Sequence, residues 1–418
     1  MKKIKSNKIF YGWYIVAASS LNNGIAGSVH WKGFTVFFIP ISQSLGLSSA
    51  QTAIPFALSR AENGLLGPIT GWLLDKYGVK KLMIIGTIIT GIGYILLSFA
   101  TTFMSFLIIY LFVISLGSST AFMQATMAGI NRWFIRKRGI AMAINNAAFR
   151  LGGAILVPLL SISVLNLGWE KSSMIVGIMI LVIIMPLSFV FKKSPESMGL
   201  HPDGEKITSE VKNSKNLSMD DWTTKEAMKT KAYWLLVFAT MFRIAVHGTI
   251  FLHFIPILVW KGESQQASAN LIGLLALFSV PLIIIFGWLG DKYGRPKLLL
   301  FCYSAAALSL FLLNQADTTM TIFLALLLFS GSEIGSGMNW SLVGDFFGRK
   351  NFATIRGTMA PIYNISLFTM PIFAGWIKDT TDSYEIVLIT GSIMLLISAI
   401  IFSLLKKPKK NNGRGDRI

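Results

Sequence analysis

Apolar stretches of about 20 residues or a little more, the length a helix needs to cross roughly 30 Å of hydrocarbon, recur along the whole chain. Twelve helical spans are predicted, at 10–39, 51–75, 82–100, 104–130, 139–165, 171–191, 231–259, 265–290, 298–315, 320–344, 357–377 and 385–405. The first follows Lys2, Lys3, Lys5 and Lys8 and so begins like a signal peptide. Its apolar run continues to residue 39 with no small-x-small cleavage site to end it, which predicts a retained helix. The breaks divide the chain into a six-helix half at 1–191, a polar linker at 192–230, a second half at 231–405 and a basic tail at 406–418. Pro195 and Pro202 stand early in the linker, and Trp222 with its neighbouring charges is expected to form a short surface helix. The predicted class is an all-α membrane protein.

Composition sharpens this. Of 418 residues, 53% are apolar and 14% charged, with mean hydropathy +0.61. A soluble protein carries about 25% charged residues, so a water-soluble enzyme is excluded. The single cysteine, Cys302, allows no disulfide within the chain and no thiol metal site of ordinary spacing, and reads as a small core residue. No phosphate-binding loop with its lysine appears, so neither a cofactor nor direct nucleotide drive is expected.

The net charge of +19 suggests nucleic acid until its placement is considered. Most of the 38 Lys and Arg residues fall in alternate short loops, the positive-inside pattern that orients membrane helices. Both termini are therefore expected in the cytoplasm, and no nucleic-acid partner is expected. Lys406, Lys407, Lys409 and Lys410 are suited to anionic headgroups.

The chain also repeats itself. Residues 71–81 read GWLLDKYGVKK and residues 287–297 read GWLGDKYGRPK, identical at 8 of 11 positions. The same offset of 216 relates the segment FIPI at 38–41 to FIPI at 254–257. Two matches at one spacing indicate a duplicated six-helix unit, as in transporters with parallel halves. In the repeated loops, Gly71 and Gly287 are expected to permit close backbone packing. Asp75 and Asp291 are placed to cap a helix or pair with a cation in one state only. Asp345 and Arg349 are expected in a similar cluster.

Twelve spans, the duplication and the paired G-x-L-x-D-K-x-G loops resemble the major facilitator superfamily over nearly the whole chain. Within it, the chain resembles the monocarboxylate transporter family, through FYGWYIV at 10–16, NRWF at 131–134 and RKRGIA at 136–141. The resemblance implies an alternating-access transporter in a cell membrane. It implies that Gly71, Asp75, Gly78, Gly287, Asp291 and Gly294 form a cytoplasmic latch, and that Lys32 meets substrate. One departure stands out: the family often places an Asp and an Arg one turn apart in helix 8, whereas 271–290 carries no charge.

A charge at the bilayer centre costs roughly 2.5 to 3.5 kcal/mol on insertion scales, so the ionisable residues within the spans are candidate chemistry. They are the cations Lys32, Arg60, Arg150 and Arg243 and the acids Glu62 and Glu333. At least two cations then lack an acidic partner, and surplus positive potential draws anions. None of the six lies on helices 3, 6, 9 or 12, which the superfamily turns toward lipid.

Lys32 suits a carboxylate as a point charge and Arg60 as a bidentate fork. Glu62 lies about 200° around the helix from Arg60, so one of the two is expected to bridge to another helix. Arg243 and His247 share a helix face, an arrangement suited to binding an anion and a proton together. Arg150 is read either as a substrate contact or as a bridge to Glu333 or Glu62. Glu333, between Gly331 and Gly335, is a candidate proton carrier together with Glu62 and His247. His30 and His253 are minor candidates, and the many aromatic residues read as lipid belt and packing rather than as a binding box.

The sequence thus leads to a secondary transporter of a small organic anion, foremost a monocarboxylate, coupled to proton symport, monomeric and multi-pass. Exchange of one organic anion for another is the alternative, and drug export is disfavoured by the sign of the charge.

Overall fold

The computed structural model describes residues 9–134, 137–204, 222–348 and 351–409, all helices, turns and loops, with no strand among them. The helices form twelve spans. The first, α1, runs over 11–45 in pieces: Tyr11–Asn22, a π-helical turn Asn23–Gly27, Ser28–Lys32, and Phe34–Leu45. Then come α2 (Ser49–Tyr77), α3 (Val79–Leu97), α4 (Phe103–Trp133), α5 (Arg138–Leu167) and α6 (Trp169–Ser188). The rest are α7 (Lys231–Leu252, continued by Phe254–Trp260), α8 (Gln265–Tyr293), α9 (Arg295–Gln315), α10 (Thr319–Phe347), α11 (Phe352–Thr381) and α12 (Glu385–Ser403).

Among the described residues ten of these are long and apolar enough to cross a membrane. The other two fall short for physical reasons: α1 is interrupted at 23–27 and at Gly33, and α2 carries Arg60, Glu62, Asp75 and Lys76.

Large apolar side chains stand exposed along α3 (Ile85, Ile89, Ile92, Leu96), α6 (Ile175, Ile178, Val182), α9 (Phe301, Leu308, Phe311, Leu312) and α12 (Ile389, Ile393, Leu396, Ile400). Their spacing of three, four or seven residues makes one continuous helical stripe on each. Such stripes are stable against hydrocarbon and unstable against water, and similar ones run along α5 (Ile144, Leu151, Ile155, Leu159, Ile162) and α8 (Leu274, Leu277, Phe278, Ile285), so exposed apolar faces are not confined to every third helix.

The helices pack as two compact units. Unit 1 comprises 1–208 with 251–277 and 371–380, and unit 2 comprises 209–250, 278–370 and 381–418. In unit 1 the core includes Ile15, Val16, Met83, Ile130, Trp133, Phe134 and Phe191. The two FIPI segments meet there: Phe38 lies 4.9 Å from the His253 ring, and the Ile255 amide donates to the Thr35 hydroxyl at 3.2 Å. His253 breaks α7 and bonds through Nε2 to the Pro371 carbonyl at 2.9 Å. The start of α2 is held twice over. Ser48 and Gln51 form a reciprocal cap, and the Asp379 carboxylate of α11 accepts from the Ser49 and Ala50 amides at 2.8 and 2.9 Å. Negative charge at a helix start is favoured by the helix dipole.

In unit 2 the core gathers Tyr233, Leu236, Leu299, Cys302, Tyr303, Leu342, Phe346, Phe347 and Phe402, with Cys302 buried as expected. Trp222 corrects the expectation of a surface helix. Its indole is buried against Phe347 and its amide donates to the Phe347 carbonyl, so the short helix begins only at Thr224–Met228, capped by Thr223 and Glu226. An apolar indole gains more from that core than from water. The middle of the linker, at 205–221, lies outside the described residues, as do Lys2, Lys3, Lys5, Lys8 and Lys410.

Candidate functional site

The break in α1 brings Lys32 to its surroundings. At Gly152 of α5 a Cβ would stand 1.8 Å from the Gly24 carbonyl oxygen, so only glycine lets the two backbones touch. The Ser28 hydroxyl donates to the Phe149 carbonyl at 2.7 Å across the same seam. Lys32, 7% exposed, then places its ammonium 5.4 Å from the Phe149 ring and 5.7 Å from that of Phe251. Its aliphatic stem fills the space that a side chain at Gly153 would need. Arg150, half-buried on α5, follows Phe149 directly.

Arg60 of α2 stacks on the residue before Lys32: its guanidinium carbon lies 3.6 Å from the Trp31 ring and 4.6 Å from Phe56. A desolvated cation–π contact is worth up to about 2 kcal/mol, so two of them approach the roughly 2.5 to 3.5 kcal/mol cost of placing the charge in a membrane. Two ring faces therefore hold Arg60 without an acid, and no carboxylate pairs with it among the described residues. The rings of Trp31 and Phe56 thus carry a charge as well as packing.

Against the expectation that Arg60 or Glu62 bridges to another helix, neither forms an ion pair among the described residues. The Glu62 carboxylate lies against the Ser115 hydroxyl of α4, short of hydrogen-bond geometry. His30 is fixed between hydroxyls, Nδ1 to Tyr94 at 3.3 Å and Nε2 to Ser118 at 3.1 Å. Because Ser118 spends its own hydrogen on the Ser115 carbonyl, His30 Nε2 is the donor and Nδ1 accepts from Tyr94.

Unit 2 arranges its ionisable groups otherwise. Arg243 of α7 is 4% exposed, its Nε has no hydrogen-bond partner, and among the described residues neither a carboxylate nor a ring covers it. Its electrostatic neighbours are Tyr303 of α9 and Tyr363 and Arg356 of α11. One turn earlier, Thr240 donates to Asn339 Oδ1 at 3.1 Å and leaves the buried Asn339 Nδ2 without a partner, as is the Tyr303 hydroxyl. Each unmet buried polar group costs roughly 1 to 3 kcal/mol. His247, one turn further, bonds through Nδ1 to the Ser332 hydroxyl at 2.8 Å and lies parallel to Phe329. Its partner is thus the residue before Glu333, which is 8% exposed. Gly331 and Gly335 let α10 close on Cys302 and Tyr303.

Sequence reasoning missed Arg356. Its guanidinium lies 4.1 Å from the Trp340 ring, which in turn is 5.7 Å from Tyr363. The residue falls just before the expected 357–377 span; seven residues, two helical turns, separate it from Tyr363, and that spacing is the available signal.

In the repeated loops the residues that need to be glycine are Gly78 and Gly294, at φ +86° and +92°, a region that L side chains rarely enter. Among the described residues a Cβ at Gly287 would meet nothing within 4 Å, so the close packing expected there is not found among them. The surroundings of Gly71, Asp75 and Asp291 side chains lie outside the described residues. Asp345 pairs with Arg295, and Arg349 is outside the described residues.

Comparison with known proteins follows this geometry. The family model of the Major Facilitator Superfamily matches residues 15–366 and 253–417, and the chain belongs to that family. It is 25% identical over 385 residues to "Probable sulfoacetate transporter SauU" of Cupriavidus necator, covering 86% of each chain. It is 25% identical over 432 residues to Monocarboxylate transporter 2 of Mus musculus, covering 96% of this chain and 86% of that one. The fold matches a solved bacterial homologue of the human lysosomal transporter Spinster with TM-score 0.73 at 16% identity, over 96% of this chain and 97% of that one. The protein is a multi-pass membrane transporter of the major facilitator type, not an enzyme.

Proposed function

We propose that the protein is a secondary active transporter of a small organic anion, with monocarboxylates the first class to test, working by alternating access with proton symport. The observation that carries this reading is Arg243, a buried guanidinium without an acid among the described residues, supported by Arg60, likewise without one. A membrane protein that keeps such charges gains stability when a solute supplies the negative charge. The names of the relatives, a sulfoacetate transporter and monocarboxylate transporters, fall in the same chemical class.

Lys32, Arg60, Arg243, His247 and Arg150 are assigned to anion contact. Glu333 and His247, whose ring bonds to the neighbouring Ser332, are assigned to the proton, with Glu62 a second carrier. The loops holding Gly71, Asp75, Gly78, Gly287, Asp291 and Gly294 act as a latch, and the halves at 1–191 and 231–405 move about the 192–230 linker. The reading places both termini in the cytoplasm and the protein, as a monomer, in the plasma membrane.

The test is uptake of labelled short carboxylates into proteoliposomes. Accumulation driven by an inward proton gradient is expected. Uptake indifferent to the gradient yet stimulated by internal anion would replace symport with exchange. Failure of every anion to be carried would end the reading.

A further inference from the structure

Among the buried groups of unit 2 with hydrogen-bonding capacity unspent are Arg243 Nε, Asn339 Nδ2 and the Tyr303 hydroxyl. They belong together. Thr240, one turn before Arg243, holds Asn339; Tyr303 is an electrostatic neighbour of Arg243. The bare Cα of Gly335 leaves room for the Tyr303 ring and hydroxyl, since a Cβ there would lie 2.6 to 2.8 Å from them. All three can donate, so the chemistry that satisfies them together is an oxyanion.

A second cation stands within reach of the first. Arg356 is exposed, where a dissolved solute can meet it, and its guanidinium lies on Trp340, the residue after Asn339. Trp340 also touches Tyr363, and Arg356 and Tyr363 share one face of α11. The charge of Arg356 acts on Arg243, and no carboxylate pairs with either among the described residues. A stacked guanidinium keeps its N–H edge free for a planar acid. Two cations that repel each other and lack a shared counter-ion are poorly matched by a single negative charge.

We infer that unit 2 selects a short organic acid with two anionic groups, one received by Arg243, Tyr303 and Asn339 and the other by Arg356. The inference rests on the organic-anion reading above and narrows it, since Arg356 becomes the residue that sets specificity.

Purified protein is titrated with pairs of acids of equal length differing in one charge, propanoate with malonate and butanoate with succinate, at neutral pH. The doubly charged member is expected to bind several-fold more tightly, as for a pair with one exposed partner. In Arg356→Gln the ratio within each pair falls toward one, and Arg356→Lys, which keeps the charge without the flat stack, gives an intermediate ratio. Equal affinity for both members in the unaltered protein overturns the inference while leaving organic-anion transport in place. A preference that survives in Arg356→Gln overturns the role of Arg356. Absence of binding by all four acids removes both readings. The unaltered protein alone decides the charge preference if a variant does not fold.

Discussion

The two units solve the same problem of a cation at membrane depth by different chemistry. In unit 1 the charges are covered by ring faces: Arg60 by Trp31 and Phe56, Lys32 by Phe149 and Phe251. In unit 2 Arg243 has no ring over it among the described residues, and the groups around it, Tyr303 and Asn339, are themselves short of partners. Aromatic faces stabilise a cation permanently, without a solute, whereas unmet donors are stabilised only when an acceptor arrives. On the proposed reading this gives unit 2 the larger share of recognition, although Arg60 Nε and the Tyr110 hydroxyl of unit 1 are also without partners.

Arg243→Gln tests this most severely. Removing one partner of a desolvated charge pair costs roughly 2 to 5 kcal/mol, so anion affinity measured by calorimetry should fall by more than about 30-fold. A loss of only a few-fold would erase the contrast between the units. Next comes Trp31→Ala, which uncovers Arg60 and should lower unfolding free energy by roughly 1 to 3 kcal/mol, read as a drop in the detergent-solubilised melting temperature. If instead it abolished binding at unchanged stability, the rings of unit 1 would be part of recognition.

Lys32→Gln should weaken anion binding by about tenfold, the loss of one partly compensated charge, with a smaller change in melting temperature than Trp31→Ala. The smallest effect belongs to Asp379→Asn. The amide keeps an acceptor for one of the Ser49 and Ala50 amides but loses the charge, which is worth roughly 0.3 to 1 kcal/mol at a helix start. Its melting temperature should shift by a degree or two, and a large destabilisation would mean that this contact does more than cap α2.

How much of this the sequence carried depends on how local each feature is. Helical spans are local, and the length of the apolar runs was enough to place them even where α1 breaks and α2 is polar, because the repeat at offset 216 tied each half to the other. Lys32, Arg60 and Arg243 were legible as charges in apolar surroundings. Their covers were not: Phe149 comes to Lys32 from α5, Tyr303 to Arg243 from α9, and such neighbours are set by packing between helices, which residue spacing does not encode. Arg356 was hidden for another reason, that an arginine at a helix start reads as solvated loop until Trp340 is seen beneath it. The histidines show the same limit, since their partners Tyr94, Ser118, Ser332 and Pro371 all lie on other helices.

The seam between Gly24 and Gly152 has a mechanical corollary. Where two main chains touch with no side chain between them and a hydroxyl rivets them at Ser28, neither strand of the pair can slide without dragging its mate. On the proposed alternating-access reading, the ammonium of Lys32 and the Phe149 ring beneath it would travel as one passenger when the first half rearranges.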